Sequence, residues 1–158
     1  MASLEQEIGN LLRQKRLTLG IVESATGGLI SHRMTNIPGI SNCYNGAITA
    51  YSNEVKIKVV GVSKESINKY GAVSSQVAEE MAEGGRKLLA ADICLSDTGI
   101  AGPSGDTTEK PVGLFFIGLS YHTLTYSQEH HFTKDREQNK QLAAETALNW
   151  LRTYLLEL

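Results

Sequence analysis

An apolar run, Leu17-Thr18-Leu19-Gly20-Ile21-Val22, stops at Glu23-Ser24-Ala25-Thr26-Gly27-Gly28, and beyond the two glycines the chain turns amphipathic. That order reads as strand, tight turn and helix. The junction sets a hydroxyl beside free backbone N–H groups at a helix N-terminus. Such a place suits a nucleophile with an oxyanion hole, or an anion cradle.

The rest of the chain repeats the alternation. Leu4, Ile8, Leu11 and Leu12 follow the i, i+4, i+7, i+8 spacing of an amphipathic helix over residues 3–16, with Ser3 as its N-cap. Strand one covers about 17–23, and a second helix is expected from near Thr26 to before Pro38-Gly39. Residues 44–51 read as a strand, and Ser52 or Asn53 caps a short helix that carries Lys56. Ser63 and Ser74 are N-caps of two more helices, the second running to about Ala90. Residues 91–96 form a third strand, and 112–121 and 124–132 a hairpin. Residues 135–156 form the final helix. Helices alternating with strands predict an α/β protein, a three-layer α/β/α sandwich on a mixed, mainly parallel sheet.

Composition narrows the class. The 158 residues fit one domain spanning 1–158, large enough to bury roughly 68–70% of its unfolded surface without a disulfide or metal staple. A net charge of −2 argues against nucleic acid as the main ligand, because phosphate-backbone binding needs clustered Lys and Arg. Cys43 and Cys94 lack C-x-x-C spacing and read as reduced structural residues of a cytoplasmic protein. No signal peptide is evident, and no apolar run approaches the ~20 residues that span a membrane.

Familiar chemistries are missing. There is no G-x-x-x-x-G-K-[ST], no G-x-G-x-x-G after strand one, no H-E-x-x-H and no G-x-S-x-G elbow. The four histidines lack metal-ligand spacing, so no metal is expected. A serine nucleophile therefore needs a base other than histidine, and Lys56 is the best placed. In the first turn of a helix the dipole disfavours its ammonium form, and burial acts the same way. A neutral amine can then take a serine proton. The alternative is a solvated helix lysine. Tyr51 is either a packed strand aromatic or a phenol that relays a proton or orients the amine. The glycine-rich stretch from Thr98 through Gly99 and Gly102 to Gly113 is long for a plain connection and fits a binding loop. Arg136, after Asp135, is either solvated or grips a phosphate or carboxylate.

Taken in order, Glu23-Ser24-Ala25-Thr26-Gly27-Gly28, Tyr51-Ser52-Asn53-Glu54-Val55-Lys56, Gly61-Val62, Tyr70-Gly71-Ala72-Val73-Ser74, Thr98-Gly99-Ile100-Ala101-Gly102-Pro103, Glu109-Lys110-Pro111-Val112-Gly113 and Asp135-Arg136 resemble the CinA C-terminal domain family, with its stand-alone nicotinamide-nucleotide amidases. The resemblance covers about residues 4–156. It implies hydrolysis of the amide of nicotinamide mononucleotide, with Ser24 as nucleophile, Lys56 as base and Tyr51 assisting. Thr98 and Arg136 would hold the nucleotide or support the site, together with Gly99 and Gly102. Thr26, Gly27 and Gly28 would supply oxyanion N–H groups. It further implies no cofactor, a homodimer or higher assembly, and longer relatives with an additional N-terminal domain. The family commonly has Cys where this chain has Ala25, which leaves Ser24 as the nucleophile, and commonly has Gly where this chain has Lys134. A non-hydrolytic nucleotide-binding module and an amidase of another small carboxamide remain the competing readings.

Overall fold

Every residue of β1 (Leu19–Glu23) is buried, which places this strand inside the sheet. In the computed structural model, which describes residues 1–158, it lies between β2 (Tyr44–Thr49) and β3 (Ile93–Gly99), parallel to both. β4 (Leu114–Tyr121) pairs antiparallel with β3, and β5 (Leu124–His131) antiparallel with β4, giving the order β2-β1-β3-β4-β5. Four strands thus run one way and β4 alone the other. The sheet is mixed and mainly parallel in direction, in agreement with the α/β expectation.

Side-chain alternation along the central strands divides the core between two faces. Leu19, Ile21, Ile93, Leu95, Ile117 and Leu119 pack against α1 (Leu4–Lys15), α2 (Leu29–Thr35) and α6 (Arg136–Leu156). Val22 and Cys94 point the other way, to α4 (Lys64–Tyr70) and α5 (Ser75–Leu88). α5 approaches the sheet closely, and a Cβ at Gly85 would stand 2.2 Å from Val22 Cγ2. Both cysteines are buried and unpaired. No helix is long and apolar enough to cross a membrane.

The expected caps form. Ser3, Ser52, Ser63 and Ser74 each accept a backbone N–H three residues on, and Asp135, not anticipated as a cap, does the same for α6, a contact worth about 1 kcal/mol. Two boundaries differ. β3 runs on to Gly99, three residues past the expected 91–96, because Asp97, Thr98 and Gly99 stay paired with β4. The second helix begins at Leu29 rather than near Thr26, because Gly27 and Gly28 have φ of 64° and 104° and cannot continue a right-handed turn. The extra residues become the turn that carries Ser24. A short α3 (Asn53–Val55) passes into a π-helical turn, Lys56–Val60, which ends at Gly61 with φ 86°.

Candidate active site

β1 and β3 leave the sheet in opposite directions, to β2 on one side and β4 on the other. The crevice at their carboxyl ends is where ligands bind in open α/β sheets. A cavity of about 390 Å³ opens there, bounded by Ser24 and Ala25 after β1, Tyr51, Asn53 and Lys56 after β2, and Thr98 and Gly99 at the end of β3. Ala72 and Val73, Ile100, Ala101, Ser104, Gly105 and Arg136 complete its wall. A larger groove of about 580 Å³ lies between α2 and α6, but its central cation, Arg33, is spent on Glu5 and Glu145.

Lys56 is 1% exposed, and its Nζ lies 2.9 Å from Ser24 Oγ, 2.9 Å from the Ala50 carbonyl and 3.1 Å from the Tyr51 carbonyl. The carbonyls can only accept. They take two N–H bonds, and the third position of the nitrogen faces the serine hydroxyl. Burial pushes the Lys56 pKa below its ordinary value, while the Asp97 charge pulls it upward. A neutral amine in this geometry has its lone pair on Ser24.

Asp97, on β3, is fully buried beneath the turn. Its Oδ1 accepts the Thr26 N–H at 3.1 Å and its Oδ2 the Ser24 N–H at 3.3 Å. Burial, and secondarily the neighbouring Glu23, raises its pKa to about 6 against the bonds from Thr26 and Ser24. The Gly27 N–H is held by the Ser24 carbonyl at 3.0 Å. Between these, the Ala25 N–H has no acceptor in the chain. A turn that ties down the amides on either side and leaves one free beside a hydroxyl has the form of a half-built oxyanion site.

On the opposite wall, Arg136 Nη1 donates to the Gly102 carbonyl at 2.7 Å and Nη2 to Tyr51 Oη at 3.2 Å. Asn139, wholly buried in α6, donates to the Ala101 carbonyl at 3.0 Å and accepts the Lys134 N–H at 3.0 Å. The glycine loop is therefore pinned to the start of α6. The amides of residues 101, 102, 104 and 105 have no acceptor within the chain.

This arrangement has close parallels. Residues 1–155 match the family described as CinA, the CinA C-terminal domain. The chain belongs to that family. It is 51% identical to a putative competence-damage inducible protein of Halothermothrix orenii, over 97% of this chain and 37% of that protein. It is 49% identical to a CinA-like protein of Dictyoglomus thermophilum, over 99% of this chain and 38% of that protein. The chain thus spans under two-fifths of the length of these curated relatives. A CinA superfamily protein of Klebsiella pneumoniae superposes with a TM-score of 0.95 at 26% identity, over 98% of this chain and 97% of that one. The competence/damage inducible protein CihA of Agrobacterium tumefaciens gives 0.86 at 32% identity, over 98% and 99%.

Of the residues singled out in the sequence of this CinA-family domain, Ser24, Lys56, Tyr51, Thr98, Gly99 and Arg136 meet in the cavity. Gly102 reaches it through its carbonyl on Arg136. Three do not line it. Thr26 is 1% exposed and its hydroxyl bonds Glu23 and Asp97, while Gly27 and Gly28 face Lys140 and Thr49. The oxyanion donor assigned to Thr26 and Gly27 is corrected accordingly, since both amides are already bonded. Tyr51 meets Lys56 through its carbonyl, and its phenol turns to Arg136. The Thr98 hydroxyl donates to the Ala72 carbonyl at 2.8 Å and so braces the 71–74 loop. Asp97 and Asn139 escaped the sequence reading. The available signals were an acid just past the apolar run Ile93-Cys94-Leu95 and an amide four residues past Asp135.

Proposed function

We propose that this chain hydrolyses the carboxamide of nicotinamide mononucleotide to nicotinic acid mononucleotide and ammonia. Lys56, as the free amine, takes the Ser24 proton as Ser24 Oγ attacks the amide carbon. The Ala25 N–H receives the developing oxyanion. Lys56, now protonated, gives its proton to the departing ammonia, and water resolves the acyl-enzyme by the reverse path. The free amides of 101, 102, 104 and 105 and the three N–H groups that Arg136 keeps to spare hold the phosphate and ribose. Anchoring that end brings the amide to Ser24, an orientation effect of several kcal/mol.

The observation that carries the reading is the buried Lys56 amine, satisfied by two carbonyls and aimed at Ser24 Oγ. The family resemblance supplies the substrate. The reading includes a cytoplasmic homo-oligomer that needs no metal or other cofactor, so chelators leave its rate unchanged. Ammonia release from nicotinamide mononucleotide by the purified protein, lost in Ser24→Ala, tests it. Absence of release from the wild type, with the nucleotide still bound, would leave a binding module instead.

A further inference from the structure

Below the catalytic turn, three side chains raise a question of proton count. The Thr26 hydroxyl lies 2.6 Å from Glu23 Oε1 and bonds Asp97 Oδ2 as well, and all three residues are buried. A hydroxyl has one proton and donates once. Two ionised carboxylates can only accept, so one of these two contacts would place bare oxygens against each other. The geometry closes only if one carboxyl carries a proton and donates to Thr26 Oγ1.

Glu23 is the wrong candidate for that proton. Its Oε1 accepts the Ile30 N–H at 2.9 Å and its Oε2 the Ser31 N–H at 3.0 Å, and these donors at the start of α2 favour the anion. At Asp97, the Ser24 N–H stands farther from Oδ2 than the Thr26 N–H does from Oδ1. An oxygen that bears a proton is the weaker acceptor, and Oδ2 is that oxygen.

We propose that Asp97 is a positioning residue that acts in its protonated form: Oδ2–H donates to Thr26 Oγ1, Thr26 donates to Glu23, and the neutral carboxyl clasps the amides of Ser24 and Thr26. Two consequences follow for the reaction, and they rest on the reading of Ser24 and Lys56 above. The clasp fixes the turn so that the Ala25 amide, next to the Ser24 hydroxyl, is left free. A neutral Asp97 also removes the nearest anion that would keep Lys56 as an ammonium. The other titratable groups around the trio are Lys56 across the turn, Lys140 of α6 beside Gly27 and the Tyr44 phenol on Ser31 Oγ. Lys56 and Lys140 would each favour an ionised Asp97, so the proton is held against them by burial and by Glu23.

The test does not need substrate. The chain has four aspartates, so carbon-13 labelling of Asp Cγ gives four resonances that can be followed with pH, Asp97 being assigned with Asp97→Asn. The expected result is that Asp97 keeps its protonated shift at about pH 5.5, where side chains with the ordinary value of about 3.9 have ionised. An Asp97 resonance that moves together with the other three would overturn the proposal. A second arm uses turnover. Asp97→Asn preserves the neutral clasp, with its NH2 on Thr26 Oγ1, and should keep kcat within about threefold, whereas Asp97→Ala loses at least tenfold. If Asn fell as far as Ala while both variants melted near the wild type, the positioning role would be an ionic one and the proposal wrong. A wild type without amidase activity removes the reading of the reaction but leaves the titration result intact.

Discussion

Tyr51 Oη and Arg136 Nη2 lie 3.2 Å apart at the mouth of the cavity, joining residues 85 positions apart in the chain. The Tyr51 carbonyl meanwhile accepts from Lys56 at 3.1 Å. Backbone and side chain thus divide the work of this residue: the carbonyl orients the amine, and the phenol steadies the arginine. Tyr51→Phe removes only the second contact. It should raise KM for the nucleotide by roughly tenfold, the worth of one hydrogen bond to a charged group, and leave kcat within about twofold. Arg136→Ala should raise KM further. A fall in kcat for Tyr51→Phe would return the phenol to the proton path.

Ser24→Ala should reduce kcat by at least about 1000-fold, and Lys56→Met by at least about 100-fold with KM little changed. Lys56→Arg should not rescue, because a guanidinium keeps its proton. Burial lowers the Lys56 pKa, so the amine becomes competent at a pH below that of ordinary lysines. The wild-type rate should be bell-shaped in pH, with a rising limb as Lys56 loses its proton and a falling limb as Asp97, with its pKa of about 6, ionises. A wild-type rate with no rising limb would assign the proton transfer to a group other than Lys56.

The strands and caps were legible because they follow from local rules. Ser3, Ser63 and Ser74 announce helices, and the 112–132 hairpin shows its alternation. The meeting of Lys56 with Ser24 was legible because its place after a strand end sets it near the sheet's carboxyl edge. The oxyanion donors were not. That the Ser24 and Thr26 amides are bonded while Ala25 between them stays free depends on Asp97, 73 residues away from Ser24, and no local spacing encodes that bond. The second helix was read as starting three residues early for the same reason. The positive φ of Gly27 and Gly28 belongs to a turn clasped from β3, not to a helix start.

Asp97 also predicts a pH dependence of stability. Its pKa in the folded chain is raised, to about 6 against the model-peptide 3.8, so folding takes up a proton between these values. The sign follows from linkage: this contribution is fully present below about pH 3.8 and is lost as pH rises through about 6. Asp97→Asn has no such loss. The melting temperature of the variant minus that of the wild type should therefore climb between about pH 4 and pH 6, by an amount on the order of 2 kcal/mol in stability. Thermal unfolding at several pH values measures it. A flat difference would mean that the carboxyl has the same affinity for its proton folded and unfolded.

Two glycines inside helices should respond to alanine with opposite signs. Gly9 sits in α1, where an added Cβ would meet Ile40 Cδ1 at 3.4 Å, an ordinary contact. Alanine there gains helix propensity and fills space, so Gly9→Ala should stabilise by about 1 kcal/mol. Gly85 sits in α5 with as much propensity to gain, but its Cβ would stand 2.2 Å from Val22 Cγ2 and 3.0 Å from Cys94 Sγ. Both neighbours are fully buried on the central strands β1 and β3 and cannot give way without moving the sheet. Overpacking of this kind costs about 1–3 kcal/mol, more than the helix gains. Gly85→Ala should lower the melting temperature by several degrees while Gly9→Ala raises it. The effect should reach the site as well, since β1 ends at Glu23 and β3 carries Asp97, so Gly85→Ala should also lose turnover that Gly9→Ala retains. Equal shifts in both variants would show that propensity, not the close approach of α5 to the sheet, governs these positions.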